Sequence, residues 1–117
     1  MIRRENEMGA IAVGNNVYTQ IAGTAATKCF GVKGMAMRSV TDGLVHLLRR
    51  ESMAKGVRVI FHEDDSVSIE LHIIVDSGVN LNALSSSIMS EVRYNVSKMT
   101  GAQVRAVDVY VDSMEIG

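Results

Sequence analysis

From Val57 to Val75 the sequence changes sides at almost every residue. Val57, Val59 and Phe61 alternate with Arg58, Ile60 and His62, and Val67, Ile69, Leu71, Ile73 and Val75 alternate with Ser68, Glu70, His72, Ile74 and Asp76. A period of two belongs to a β-strand with one buried face. Two such runs joined by the acidic stretch 63–66 predict an antiparallel hairpin. The apolar residues of both runs are odd-numbered and opposed residues share a face, so the loop holds an odd number of residues. A three-residue loop of Asp64, Asp65 and Ser66 fits, which sets Arg58 opposite His72 and His62 opposite Ser68. A lone hairpin is marginal in water, so other segments must cover the odd face.

The strongest cover follows at once. Leu81, Leu84, Ile88, Val92, Val96 and Met99 recur at steps of three and four, with Asn80 or Asn82 as cap, Lys98 in the last turn and Gly101 as the stop. The run from Gln103 to Asp112 alternates again, Val107, Val109 and Val111 against Asp108, Tyr110 and Asp112. Upstream, Gly9–Val13 reads as a short strand. Val17, Ile21, Ala25 and Cys29 form one face of a helix at 16–29, capped by Asn15 or Asn16 and ended by Gly31. A second helical stripe, Met37, Val40, Leu44, Leu47 and Leu48, leads to Arg49 and Arg50; the stripe starts at Met37, whereas a cap at Thr41 or Asp42 gives a helix over 42–50 only, so two starts stay open. Gly56 closes the connection. The order β-α-α-β-β-α-β predicts an α+β two-layer sandwich, a mixed four-stranded sheet with helices on one face. Residues 9–112 form a single domain, with 1–8 and 113–117 as tails.

Composition limits what such a domain does. With 117 residues and 47 % apolar content, one core is feasible and two domains are not. A net charge of −1 argues against a general polyanion binder. No apolar run reaches the roughly 18 residues of a membrane-spanning helix, and the charged start lacks the apolar stretch of a signal peptide. These features predict a cytoplasmic protein with no direct membrane insertion. Without proline or tryptophan, and with eight methionines, the core is aliphatic.

Chemistry-bearing residues are few. Cys29, the single cysteine, lies at the helix end that does not lower a thiol pKa, and reads as a structural cysteine. His62 and His72 fall roughly 13 Å apart in the hairpin register, too far for one metal ion, and His46 has no histidine one turn away. The carboxylates of Glu63, Asp64 and Asp65 sit at a hairpin tip rather than in a cleft. No catalytic residue, cofactor or metal is expected, and the chain reads as a non-enzyme. Gly31-Val32-Lys33-Gly34 carries the sharpest competing reading, because glycines so spaced after a helix resemble the loop with which KH domains clamp nucleic-acid backbones. Gly31, Lys33 and Gly34 are the residues of that alternative. A helix stop followed by a turn explains the same string, and nucleic acid is not the expected partner.

The ordered set of segments resembles a known family. Gly9-Ala10-Ile11-Ala12-Val13 comes first, with Val17, Ile21 and Ala22, then Gly31-Val32-Lys33-Gly34-Met35 and Lys55-Gly56-Val57-Arg58-Val59. Ile69–Asn80, Met99-Thr100-Gly101 and Val107–Val111 complete it. Over about nine-tenths of the chain this is similar to the alkaline shock protein family of bacterial envelope-stress-response proteins. Ser85-Ser86-Ser87 and Ser77 depart from the family's usual acidic and aromatic residues. The resemblance implies a non-enzymatic scaffold or adaptor of cell-envelope stress response and homeostasis, peripheral to the membrane through a protein partner. It brings no catalytic set.

The residues themselves point to where contacts form. The even-numbered sheet face carries Ile60, Ile74 and Tyr110 among Arg58, His62, Glu70, His72, Asp108 and Asp112. If helices cover the odd face, this mixed patch is left for a partner, and a homo-oligomer with Ile74 and Tyr110 near the contact is the expectation.

Overall fold

The computed structural model describes residues 2–36, 51–54 and 56–116. Its elements are β1 (Ile2–Asn6), β2 (Gly9–Val13), α1 (Asn15–Thr27), β3 (Val32–Met35), β4 (Glu51–Ala54), β5 (Val57–Phe61), β6 (Ser66–Asp76), α2 (Leu81–Thr100) and β7 (Gln103–Glu115). The expected middle helix at 42–50, with His46, lies outside the described residues.

The hairpin is present, with its loop one residue earlier than expected. Glu63, Asp64 and Asp65 form the three-residue loop, and His62 N–H donates to Ser66 O across it at 2.9 Å. Asp65 takes φ +65°, the left-handed third position that such loops require. The register shifts accordingly, and Arg58 opposes Glu70 while Ile60 opposes Ser68.

β6 is the spine of the sheet. β5 pairs with its residues 67–71 and β3 with 73–75, both antiparallel, so these two strands share one edge end to end. β7 runs parallel along the other edge, and β4 pairs with β5. His72 sits at the junction, where its carbonyl accepts from Ala36 N–H at 2.8 Å and its N–H donates to Gly56 O at 2.9 Å. Gly56 has φ +80°, and a Cβ there would stand 2.5 Å from Ala36 O. Only glycine fits that meeting of strands.

The α+β class and the mixed sheet are as expected, but among the described residues the main sheet has five strands rather than four. β3 and β4 join it, and β2 does not. Gly9–Val13 pairs instead with Ile2–Asn6, so residues expected as an N-terminal tail form half of a separate hairpin. The hairpin is anchored by the buried Ile2 and by Arg4, which donates to Gly101 O at the end of α2. The expected C-terminal tail begins inside β7, which continues to Glu115 beside Asp76.

Both helices lie on the odd-numbered face. Val57, Val59, Val67, Ile69, Leu71, Ile73 and Val75 are buried with Leu84, Ile88, Val92 and Val96 of α2 and with Ala22, Ala25 and Ala26 of α1. Phe61 and Val109 pack against this core half-buried. Helix α2 has the expected caps, Asn80 Oδ1 accepting from Ala83 N–H at 3.0 Å and Gly101 at φ +75°. Helix α1 departs from expectation. Its N-cap is Gly14, it ends at Thr27, and its buried stripe is rotated by one residue. Tyr18 fills the core while Val17 is 40 % exposed. The Tyr18 ring meets Phe61 edge-on at 5.3 Å, a contact a valine cannot replace.

Candidate functional site

The even face of the sheet is built from paired polar side chains. The register that sets Arg58 opposite Glu70 brings them into an ion pair at 3.4 Å. His62 Nε2 lies 2.7 Å from Ser68 Oγ. Strand β7 supplies the rest, shaped by two bulges. Arg105 and Asp112 have no partner in the β6 register, which shifts at both points. A bulge re-aims the side chain it carries. The first directs Arg105 to Asp64, 3.2 Å away. The second lets Asp112 reach His72 Nδ1 at 3.1 Å. Between the bulges Tyr110 opposes His72, and the two rings stack at 4.8 Å and 10°. His72 is buried, and its Nε2 has no hydrogen-bond partner among the described residues.

Of the three expected contact residues, Ile74 and Tyr110 come together. Tyr110 faces His72, and Ile74 lies two residues further along β6 on the same face. Ile60 opposes Ser68, six residues from Ile74, or about 20 Å at the strand rise. Ile60 and Ile74 are half-buried and Tyr110 is 44 % exposed.

The string Gly31-Val32-Lys33-Gly34 is not the glycine-bracketed turn that was expected. Val32–Met35 is β3, with Val32 opposite Val75 and Gly34 opposite Ile74 across a bulge. Lys33 forms an ion pair with Asp76 at 3.2 Å. Gly31 has φ +101° and packs against Val79, where a Cβ would collide at 2.8 Å. β-pairing and close packing account for these residue types.

Cys29 lies just past α1, half-buried, with its thiol 3.6 Å from Ala25 O. Burial pushes the thiol pKa up, and the nearby Glu91 charge adds to the rise. That is the opposite of nucleophile activation. The thiol lines a cleft of about 920 Å³ between the end of α1 and the start of α2, rimmed by the exposed Phe30.

The His72–Asp112 pair and the His72–Tyr110 stack escape sequence reading. Alternation places all three residues on one face, but no local signal announces the bulge that turns the Asp112 carboxylate toward the imidazole.

Residues 3–116 match the model of a family with cell envelope-related function, the alkaline shock protein family. The chain belongs to that family. The protein YloU of Bacillus subtilis, named as uncharacterised, is 32 % identical over 116 residues, covering 98 % of this chain and 96 % of YloU. Spy1614 of Streptococcus pyogenes, likewise uncharacterised, is 33 % identical over 109 residues, covering 92 % of this chain and 89 % of its own. A second Bacillus subtilis relative, YqhY, is 25 % identical over 111 residues, covering 95 % and 81 %. No solved structure matches the chain. No helix among the described residues is long and apolar enough to cross a membrane.

Proposed function

We propose that this family member is a non-enzymatic scaffold or adaptor in cell-envelope stress response and homeostasis. It works through protein–protein contacts, with copies of itself and with a protein partner that holds it at the membrane. The observation that carries this reading is the even face of the sheet. Ile74 and Tyr110 adjoin there, uncovered by α1 or α2, within a frame of polar groups already paired to one another. A surface that mixes apolar and paired polar groups suits association. Arg58, Glu70, His72 and Asp112 are engaged with each other, an arrangement that fixes surface shape.

Light scattering across a concentration series tests the self-association. The expected result is a mass above the monomer that falls toward it in Ile74→Glu. A strictly monomeric mass at the highest concentration, unchanged in that variant, removes self-association. Capture of membrane-protein partners by the wild-type chain and not by Ile74→Glu tests the adaptor role, and equal capture by both overturns this face as the contact.

A further inference from the structure

The His72–Tyr110 stack stops at an open position. The two residues are cross-strand partners, and the 4.8 Å between their rings matches the spacing of neighbouring strands. The stack therefore runs in the direction in which strands are added. His72 covers one face of Tyr110. Beyond the other face lies the outer edge of β7, on which no strand lies among the described residues. That edge presents unpaired backbone groups, the feature through which sheets accept a further strand.

The charges along this edge are one-sided. Asp108 and Asp112 flank Tyr110 at two residues on either side. Asp112 is held by His72, and Asp108 forms no ion pair among the described residues. Arg105, the only cation of β7, is engaged with Asp64. The middle of the edge thus offers an aromatic face between two carboxylates.

We propose that the β7 edge takes an extended, arginine-bearing segment of a partner protein. The segment adds as a strand, and one guanidinium stacks on the open face of Tyr110 between Asp108 and Asp112. Arginine fits better than lysine because its planar group stacks on a ring and forks its N–H donors toward carboxylates at the same time. A second β7 paired in the register that stacks Tyr110 on Tyr110 does not suit this edge. An antiparallel pairing centred on Tyr110 sets Asp108 against Asp112, and like charges directly opposed are unfavourable. The inference rests on the contact function proposed above and names the chemistry of one partner.

Fluorescence anisotropy of the full chain tests it, with a labelled short peptide alternating arginine and threonine and with its lysine and glutamate twins. The arginine peptide binds saturably, several-fold more tightly than the lysine twin, and the glutamate twin does not bind. Tyr110→Leu and Asp108→Asn each weaken the arginine peptide about tenfold, the scale of one desolvated cation–π or charge contact. Circular dichroism keeps both variants comparable with the wild type, and Asp108→Asn removes no bond within the fold. Methylating the peptide's pairing amides abolishes binding. Absence of binding, equal affinity for arginine and lysine peptides, or full affinity in a folded Tyr110→Leu overturns the proposal. If the peptide fails while Ile74→Glu still lowers the mass, the edge site falls and the face contact stands.

Discussion

Strand β6 shows two surfaces on one backbone. Its odd-numbered side chains, Val67 to Val75, are apolar and fully withdrawn from water against α1 and α2. Its even-numbered residues Ser68, Glu70 and Ile74 are half-buried, and the first two bind partners across the neighbouring strand. The odd face exchanges water for hydrocarbon, at about 25 cal/mol for each Å² buried. The even face exchanges one set of hydrogen bonds for another, a net gain of only about 1 kcal/mol per bond. Stability is therefore concentrated on the odd face, and the even face is free to be specified by what it touches.

The largest expected effect tests that division directly. Leu71→Ala and Ile88→Ala each empty a site with no exposed surface, and each should lower unfolding free energy by about 2–5 kcal/mol in denaturant titration. Losses below about 1 kcal/mol at both positions are surface-like and would erase the contrast between the faces.

Gly56 belongs to neither face, since it fixes where β3 and β5 meet against His72. Gly56→Ala meets two carbonyl oxygens and holds alanine at φ +80°. The expected cost is roughly 1–3 kcal/mol, the range for a strained backbone residue. A melting temperature equal to wild type would show that the junction relaxes without strain.

Ile74→Ala sharpens the comparison from the other side. Ile74 is half-buried opposite Gly34, so only part of its side chain leaves water on folding. A loss of about 1 kcal/mol or less is expected by denaturant titration, below that of Leu71→Ala. A loss equal to that of Leu71→Ala would make the even face part of the core.

How much of this was legible follows from the same physics. The period-two runs and the α2 stripe are strong because burial repeats at every turn of the pattern, and Leu71, Ile88 and Val107 were placed correctly. Short segments carry fewer repeats. Gly9–Val13 reads as a strand but does not reveal that its partner is Ile2–Asn6 rather than the main sheet. Helix α1 misled through Val17, because the stripes through Val17 and Tyr18 differ by one residue and Tyr18 gains the Phe61 contact only in three dimensions. Gly31-Val32-Lys33-Gly34 reads as a turn because its two glycines outweigh Val32 locally, whereas pairing with β6 makes Val32–Met35 a strand. Alternation grouped Ile60, Ile74 and Tyr110 on one face, but register alone separates Ile60 from the other two.

The smallest effect concerns the loop at which both faces begin. Asp64 Oδ1 accepts from Ser66 Oγ at 2.6 Å and from Ser66 N–H at 3.1 Å, and Arg105 approaches its other oxygen. These contacts favour the ionised form and lower the Asp64 pKa to about 2, with the Ser66 hydroxyl first among the causes. The usual value is about 3.8. A carboxyl whose folded pKa is depressed supports the fold above its unfolded pKa. That support is lost as the pH falls through the folded value. The window is therefore about pH 4 down through pH 2, and the contribution is constant near neutrality. Asp64 is fully exposed, so solvent screens the ion pair with Arg105. Carboxylate NMR titration should place the Asp64 midpoint near 2. Ser66→Ala should return it toward 3.8 by a larger step than Arg105→Ala, because the serine hydroxyl is the largest cause of the shift and solvent screens the exposed arginine. A larger step in Arg105→Ala would mean that the contact from the β7 bulge, rather than the serine hydroxyl of the local turn, holds the Asp64 pKa down.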